Sequence, residues 1–417
     1  MKTRIIAVLA LAAGLATVAA TVSGGAFGGT NQPKKAITVW LQVDAQADNW
    51  KPIVSAANAA FTKATGADVN IQYQTWPTHL QKFDASLAGG NAPDVIEMGN
   101  TEMTKYMAAG AFQDLTADKG SFPNSSTWLA GLAASGRYNG KTYAVPYYAG
   151  SRVVTYRKDQ FKAAGIKIPT SLAQFTAGAK KLAAKYGSTK GYSPVYIAGE
   201  DWYVAMSFVF DYGGGIATQV SGKWKGLLTR PKSLAGLAAY KAFFNAASKA
   251  SKTTDEARPF PYDVYKQGQA GSMIGQAWFT CCVGDKYKGV TGQFVVPSHT
   301  AGQVMPGFLG GSDLAVPVGA DKSLAEAWIK AYTSTEAQKA LEAIGNIPNT
   351  TTLVNPRKVN ERAASRSWFV PTAKNWVNVE NGNILRNMLG QILTGKLTIK
   401  QAASSAQDNI ESVLNAP

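Results

Sequence analysis

Residues 140–157 read GKTYAVPYYAGSRVVTYR, and the pattern of this stretch decides how the rest of the chain is interpreted. It predicts two short strands, residues 143–145 and 153–156, with a break at Pro146. A predicted bend at residues 147–152 carries two aromatic rings, a hydroxyl, a guanidinium and a glycine. This mixture suits a polar, ring-shaped ligand, although an ordinary connection with surface tyrosines explains the same residues.

The length of 417 residues exceeds what one hydrophobic core usually supports, so we expect two lobes. Hydrophobic residues make up 46% of the chain, which allows sizeable cores. The formal net charge is +16, from 42 basic and 26 acidic residues. The lysines are scattered singly or in pairs such as Lys180-Lys181, without the long basic run of a nucleic-acid-binding arm. We therefore expect a basic surface that faces an anionic cell envelope, and no nucleic-acid partner.

The N-terminus has the pattern of an export signal. Lys2 and Arg4 precede an apolar run, residues 5–20, which ends in a cleavage motif of small residues. We predict a signal peptide and flexible leader in residues 1–35, and hence a protein at the cell surface or in a periplasm. An uncleaved anchor is the alternative, because the run is near the lower length limit for a membrane span. No cysteine follows the run, so we do not expect a lipid anchor on an N-terminal cysteine.

The two cysteines of the chain, Cys281 and Cys282, are neighbours. In an oxidising compartment such a pair either stays reduced or closes a vicinal disulfide, and the sequence leaves both possibilities open. We expect no metal site, because the isolated His79 and His299 add too few ligands to this pair for a four-coordinate zinc ion.

Strands and helices alternate in the first part of the chain, which predicts a doubly wound α/β sheet with parallel crossovers. In such sheets, ligands bind at the carboxyl ends of the strands. The first and third predicted strands end at polar residues, namely Gln42, Asp44, Asn100 and Glu102. These side chains are therefore candidates for ligand contacts.

Catalytic motifs are scarce. The sequence lacks a G-x-S-x-G nucleophile motif, a phosphate-binding loop and a dinucleotide fingerprint. A glycosidase needs only two carboxylates roughly 5 to 10 Å apart. Asp44, Glu102, Glu200 and Asp201 are candidates for such a pair. A secreted carbohydrate-active enzyme therefore stays open as an alternative.

A resemblance to a known family rests on seven motifs in a fixed order, namely ITVW (37–40), APDVIEMGN (92–100), AAGAFQDLT (108–116), GKTYAVPYY (140–148), VVTYRKDQF (153–161), GGSDLAVP (310–317) and AEAWIKAY (325–332). From residue 36 onward the chain resembles the carbohydrate-binding solute receptors of ABC importers, the group that includes maltose-binding protein. Within that group, it is similar to actinobacterial receptors for amino sugars and chitobiose.

The resemblance implies an α/β, two-lobed periplasmic-binding-protein-like fold with discontinuous domains and a ligand cleft between the lobes. The first lobe would comprise residues 36–147 plus 305–355, and the second lobe residues 148–304 plus 356–417. The protein would be a binding protein without catalytic residues, bound metal or cofactor.

The motifs that match the family also imply which side chains contact the ligand. The implied ligand-binding residues are Gln42, Asp44, Asn100, Glu102, Tyr148, Arg152, Trp202, Trp278, Gly311 and Ser312. Trp76 and Trp376 are either further stacking surfaces or core residues.

The implied ligand is a mono- or oligosaccharide, preferably an amino sugar or a chitobiose-like disaccharide, and the implied partner is a membrane permease. We expect a monomer. A receptor with the same fold for peptides, polyamines or metal chelates is a further alternative. The cysteine pair beside Trp278 departs from the family pattern, and we expect a disulfide there to stiffen the loop that presents this ring.

Overall fold

The computed structural model describes residues 35–43 and 47–417, and Lys35–Pro417 form one compact unit. The predicted signal peptide, the leader up to residue 34 and the candidate ligand residue Asp44 lie outside the described residues.

Strands are distributed along the whole described chain. The first eight are β1 (Ala36–Gln42), β2 (Asp68–Gln74), β3 (Val95–Gly99), β4 (Arg137–Tyr138), β5 (Lys141–Thr142), β6 (Ala144–Gly150), β7 (Arg152–Arg157) and β8 (Ser193–Tyr196). The others are β9 (Ala217–Val220), β10 (Lys223–Gly226), β11 (Ala270–Gln276), β12 (Thr291–Phe294), β13 (Gly307–Phe308), β14 (Gly310–Ala315), β15 (Ile347–Pro348) and β16 (Ser367–Trp368).

Helices alternate with these strands. The first eight are α1 (Ala47–Thr65), α2 (His79–Ala88), α3 (Met103–Ala108), α4 (Ala130–Ser135), α5 (Lys158–Ala163), α6 (Leu172–Tyr186), α7 (Trp202–Asp211) and α8 (Pro231–Ala247). The others are α9 (Pro261–Lys266), α10 (Asp285–Lys288), α11 (Lys322–Tyr332), α12 (Thr335–Ala343), α13 (Val359–Ala363), α14 (Trp376–Asn381), α15 (Ile384–Thr394) and α16 (Ile399–Leu414). Short 3-10 turns occupy Lys119–Ser121 and Ala277–Cys282.

The larger sheet has six strands in the order β15-β6-β14-β3-β1-β2. Strand β1 pairs in parallel with β2 and β3, whereas β14 pairs antiparallel with β3 and β6. Helices α1, α11 and α12 cover one face of this sheet, and α2 and α3 cover the other. Because both faces are covered, the central strand β3 is buried along its whole length. We call this sheet and its helices the first lobe.

The second sheet has four strands in the order β12-β7-β11-β8. Its larger core lies under α6, α7 and α8 and the C-terminal helices α14–α16, and its smaller core includes α9 and the 3-10 turn Ala277–Cys282. We call this sheet and its helices the second lobe.

Local sequence explains helix α6 of the second lobe. The Ser171 side chain accepts a hydrogen bond from the backbone N–H of Gln174 and so caps the first turn. Leu172, Phe175 and Leu182 recur at helical spacing and are buried against the sheet.

The stretch that connects the two lobes corrects one expectation. The strand does not break at Pro146, because β6 runs without interruption from Ala144 to Gly150 and so includes most of the predicted bend. Proline is tolerated there because it faces Asp313 beside a shift of register in β14, where regular pairing is interrupted. The chain passes from the first sheet to the second at Ser151, between β6 and β7. The residue boundaries of the two lobes stay a prediction.

Candidate functional site

A pocket opens at the carboxyl edge of the first sheet. Strands β1, β2 and β3 are parallel neighbours, so the residues that follow them meet at this edge. The pocket wall is mostly aromatic with two polar side chains, and its principal residues are Gln42, Trp50, Tyr73, Trp76, Glu97, Tyr148 and Tyr332. The pocket therefore brings together the predicted residues Gln42 and Tyr148.

The aromatic wall includes two rings that solvent reaches. Tyr73 is 43% exposed and Trp76 is 37% exposed, which is unusual for large aromatic side chains. Trp76 packs against Gly99, where an added Cβ would come within 3.3 Å of the indole Cζ3 atom. Trp50 meets Tyr148 edge-on, with 4.8 Å between ring centroids. The pocket thus offers flat apolar faces beside polar strand ends.

Hydrogen bonds fix Gln42 in the pocket wall. Its backbone N–H donates to Glu97 Oε2 at 2.9 Å, and its side-chain amide donates to the Glu97 carbonyl at 3.2 Å. Two buried polar atoms of wall residues, Gln42 Oε1 and Trp50 Nε1, have no hydrogen-bond partner in the described structure. A buried polar atom without a partner is costly, so this acceptor and this donor each need a partner that the described residues do not supply.

Glu102 is held next to the pocket by His79. The His79 Nε2 atom lies 2.8 Å from Glu102 Oε2, and the backbone N–H of Gly99 donates to the same oxygen at 2.9 Å. The other ring nitrogen of His79 lies 2.8 Å from the carbonyl of Trp76. Burial lowers the pKa of His79, but the hydrogen bond and charge of Glu102 outweigh burial and raise that pKa. His79 therefore ties Trp76 and Glu102 together.

Asn100, Gly311 and Ser312 lie where β3 meets β14. The backbone N–H of Asn100 donates to the Gly311 carbonyl at 2.9 Å, and its side-chain amide donates to the Leu309 carbonyl at 3.0 Å. Gly311 allows β14 to approach β6, because an added Cβ would lie 2.1 Å from the Tyr148 carbonyl oxygen. Ser312 is fully buried, and its Oγ has no hydrogen-bond partner in the described structure.

Arg152 lies directly after the passage between the lobes and is buried. Its guanidinium carbon is 4.2 Å from the ring centroid of Tyr203, and its Nε is 3.9 Å from Asp201 Oδ1. Burial raises the pKa of Asp201 to about 6, although the charge of Arg152 opposes this shift. The Arg152 Nη1 atom is buried and has no partner among the described residues, so it can serve a polar ligand or a bound water.

Two of the tryptophans singled out from the sequence are buried in the second lobe. Trp202 is 4% exposed and stacks on Tyr203, with 3.9 Å between ring centroids. Trp376 is 1% exposed and lies 6.1 Å from Trp202, centroid to centroid. Both rings pack in the core of this lobe. The role of Trp202 in ligand binding stays a prediction, and the core alternative for Trp376 is the one observed.

Trp278 lies in the 3-10 turn Ala277–Cys282 and is half-buried. Its ring meets Phe279 edge-on, with 4.7 Å between centroids. On the other side, an added Cβ at Gly345 of the first lobe would lie 3.9 Å from the Trp278 Cα, so the turn reaches across to the first lobe. The structure joins Cys281 and Cys282 by a disulfide, which resolves the alternatives that the sequence left open.

This disulfide gives the first testable prediction. Because both sulfurs are bonded, the purified chain should show no mass increase when treated with an alkylating agent under denaturing conditions. After reduction, we expect two alkylated thiols by intact mass spectrometry. Two alkylated thiols without reductant would contradict the disulfide.

Sequence reasoning missed several residues of this region. Trp50, Tyr73 and Glu97 line the pocket. Glu380 contacts the first lobe, because Thr101 Oγ1 donates to its Oε2 at 3.2 Å, and burial raises the pKa of Glu380 to about 7. Tyr73 could have been found, since it ends the second predicted strand as Gln42 ends the first. Glu97 and Glu380 carry no comparable signal, because their positions depend on tertiary packing.

Within residues 35–43 and 47–417, no cluster of three or more His, Cys, Asp or Glu side chains is placed to hold a metal ion. No helix of this part of the chain combines the length and the apolar composition needed to cross a membrane.

Comparison with known proteins gives the family. The model of the bacterial extracellular solute-binding proteins matches residues 56–366, which is most of the chain. This chain belongs to that family. The diacetylchitobiose-binding protein DasA of Streptomyces coelicolor is 31% identical to this solute-binding protein over 414 residues, and the match covers 95% of both chains. The family implies export to the cell surface or periplasm.

Solved structures support the fold. The GacH receptor of Streptomyces glaucescens, solved without ligand and with acarbose, has a TM-score of 0.78 at 20% identity and covers 92% of this chain and 99% of its own. Maltose-bound MalE3 of T. maritima has a TM-score of 0.74 at 19% identity and covers 91% of this chain and 100% of its own. The solute-binding protein therefore has the predicted α/β, two-lobed periplasmic-binding-protein-like fold, with discontinuous lobes and a cleft between them.

Proposed function

We propose that this protein captures an oligosaccharide that contains N-acetylated amino sugars, with diacetylchitobiose as the preferred candidate, and delivers it to the membrane permease of an ABC importer. The sugar binds in the cleft and leaves it chemically unchanged. The protein acts outside the cell membrane as a monomer. The proposed site comprises the pocket at the carboxyl edge of the first sheet and the polar groups of the second lobe around Arg152.

One observation carries this proposal. The pocket combines exposed rings of Trp76 and Tyr73 with Gln42 and Glu97 at the strand ends. Sugar rings have apolar C–H faces that pack on aromatic side chains and rims of hydroxyls that need amide and carboxylate partners. Exposed aromatic faces beside polar strand ends therefore favour a saccharide.

The comparisons add support for the class of ligand. The Streptomyces relative is a diacetylchitobiose-binding protein, and the two similar structures contain acarbose and maltose. Each of these statements concerns the named protein. Their agreement on saccharides favours the same class of ligand for this chain.

Contacts between the lobes suggest how binding is coupled to closure. Thr101 of the first lobe donates to Glu380 of the second, and Gly345 lies against Trp278. A ligand favours the closed state only if it binds that state more tightly than the open one. A sugar that contacts both lobes meets this condition.

The two buried atoms without partners suggest why an acetylated sugar is preferred. An acetamido group has one N–H donor, one carbonyl acceptor and a methyl group. Gln42 Oε1 is an acceptor without a donor, Trp50 Nε1 is a donor without an acceptor, and both side chains line the pocket with the apolar Leu41 and Val54. We therefore assign Gln42 and Trp50 as the groups that recognise the acetamido substituent.

Replacing Trp50 by phenylalanine should weaken binding of diacetylchitobiose by about 0.5–1.5 kcal/mol, the usual net contribution of one hydrogen bond. The variant keeps an aromatic ring but lacks the indole N–H. Binding of cellobiose, which has no acetamido group, should change much less. Titration calorimetry with both sugars measures the two effects.

The matched control is Trp40→Phe, which removes an indole N–H that donates to Gln72 Oε1 outside the pocket. This control should leave the affinity for both sugars unchanged. If Trp50→Phe lost the same affinity for acetylated and non-acetylated sugars, Trp50 would not recognise the acetamido group. Sugar binding by the parent protein would still support its function as a receptor.

A carbohydrate-active enzyme remains the second reading of the sequence. Glu102 is tied to His79, Asp201 caps the first turn of α7, and Glu200 Oε1 would lie 2.8 Å from a Cβ added at Gly390. Glu102 and Asp201 thus each have a hydrogen-bond partner within the protein. Prolonged incubation with chitin and xylan oligosaccharides, followed by chromatography, should yield no new product, and any turnover would overturn the proposal of a receptor.

A further inference from the structure

One surface of the second lobe carries an unusual concentration of positive charge. Residues 160–199 contain six lysines and no aspartate, glutamate or arginine. All six side chains are exposed. We call this set the lysine face; its members are Lys162, Lys167, Lys180, Lys181, Lys185 and Lys190.

The lysine face lies on the outside of the second lobe. Helix α6 buries one side against the core and exposes Lys180, Lys181 and Lys185 on the other. The loop after α5 packs on this helix, since an added Cβ at Gly178 would lie 3.2 Å from Ile166 Cγ2. The Lys181 ammonium also donates to the Gly165 carbonyl at 3.4 Å. Helices α5 and α6 and their connecting loop therefore form one continuous basic surface.

These lysines differ from many lysines of the first lobe in having no acidic partner. Lys105, Lys141 and Lys322 each lie 2.7 to 3.0 Å from a carboxylate oxygen. None of the six lysines of the lysine face forms an ion pair with a described residue, and the neighbouring Asp159 is bound to Arg157 at 2.5 Å. Like charges four residues apart on a helix, such as Lys181 and Lys185, repel each other. The protein therefore keeps this charge exposed and uncompensated.

An apolar side chain stands within the same surface. Ile168 is 46% exposed and follows Lys167 directly in the loop that packs on α6. Basic residues around an exposed aliphatic side chain suit the boundary between lipid headgroups and acyl chains, where the charges meet phosphates and the aliphatic group leaves water. A small soluble anion would not remove the Ile168 side chain from water.

We propose that the lysine face binds the anionic phosphate headgroups of a lipid membrane. The charges are spread over two helices, the loop between them and the turn after α6 rather than gathered in a pocket, so they fit a planar array of phosphates. Each lysine close to an anionic membrane strengthens binding by about fivefold, and salt screens the attraction over about 10 Å. The surface would hold the protein beside the membrane whatever solute occupies its cleft, so the inference is independent of the proposed ligand.

The test uses vesicles and three variants of the chain from Lys35 to Pro417, which forms one compact unit and lacks the apolar N-terminal run. Co-sedimentation is measured with vesicles of phosphatidylcholine alone and with added phosphatidylglycerol, at low and high salt. The test variant carries Lys167→Gln, Lys180→Gln, Lys181→Gln and Lys185→Gln. The matched control removes the same charge from the first lobe by Lys63→Gln, Lys82→Gln, Lys141→Gln and Lys339→Gln. A third variant replaces the four test lysines by arginine.

We expect the unmodified chain to bind vesicles that contain phosphatidylglycerol and to dissociate from them at high salt. It should not bind vesicles of phosphatidylcholine alone. The glutamine variant of the lysine face should lose binding on the order of 100-fold, whereas the first-lobe control and the arginine variant should stay within about threefold of the parent. Sugar binding should be the same in all variants. Equal losses in both glutamine variants would show that only net charge matters and would overturn the proposal. Binding to soluble poly(glycerol phosphate) but not to vesicles would likewise overturn it.

Discussion

Replacing Trp76 by alanine is expected to weaken sugar binding by about 1–3 kcal/mol, on the scale measured for stacking of nucleobases on aromatic side chains. Trp76 is 37% exposed, and His79 meets it edge-on with 5.2 Å between ring centroids. The ring is thus held in place but open to the pocket. Because it is far from fully buried, its removal should change the free energy of unfolding much less than the affinity.

The matched control for this experiment is Trp224→Ala. Trp224 is a half-buried tryptophan on β10 of the second lobe and is not part of the pocket wall. Calorimetric titration with diacetylchitobiose should give the parent affinity for the control and a weaker one for Trp76→Ala. An unchanged affinity in Trp76→Ala would show that the aromatic wall is not part of the binding site.

Replacing Asp313 by asparagine is expected to stabilise the protein at alkaline pH by about 2–3 kcal/mol. Asp313 is fully buried, and burial raises the pKa of its carboxyl to about 7 from an ordinary 3.8. The Ser135 hydroxyl lies 2.7 Å from Asp313 Oδ2 and 2.7 Å from the Leu132 carbonyl oxygen. It has one hydrogen and the carbonyl can only accept, so a protonated Asp313 that donates to Ser135 satisfies both contacts.

The direction of the pH dependence follows from the raised pKa. Between about pH 4 and pH 7 the folded protein keeps a proton on Asp313 that the unfolded chain has released, so the free energy of unfolding falls as pH rises. Above about pH 7 the carboxyl ionises in both states and this contribution is lost. Asparagine does not titrate, so this part of the decline should disappear in the variant.

Urea unfolding from pH 5 to pH 8 measures this effect. The control is Asp408→Asn, which alters an exposed carboxyl on α16 and should leave the pH dependence of the parent in place. The free energy of unfolding of Asp313→Asn could instead fall with pH as steeply as that of the parent, or the variant could be less stable than the parent at pH 8. Either result would mean that this carboxyl is ionised in the folded protein.

Much of the fold could be predicted because local patterns and global packing agree. The alternation of strands and helices gave the parallel β1, β2 and β3, and their carboxyl ends form the pocket wall. Pro146 shows where local reasoning failed. Its missing N–H predicted a break, but the shift of register in β14 opposite this residue lets β6 continue. Such a shift depends on a partner strand more than 150 residues away, so residues 140–157 alone could not reveal it.

The candidate site was harder to predict than the fold. Gln42, which ends β1, and Tyr148, which lies within β6, both line the pocket, and their contact with a ligand stays a prediction. Trp202 was singled out as a large aromatic residue near a helix start, yet its ring is buried among Tyr203, Trp368 and Trp376. Residue type alone does not distinguish a ring that stacks on a ligand from one that packs in a core. The solvent exposure of the ring distinguishes the two cases, and that exposure is set by the tertiary structure.

Calorimetric titration of the protein with diacetylchitobiose tests the central proposal most directly. We expect saturable binding of one sugar per chain, stronger than binding of cellobiose, with the sugar recovered unchanged afterwards. Saturable binding of a peptide, a polyamine or a metal chelate, with no heat from any mono- or oligosaccharide, would contradict the account.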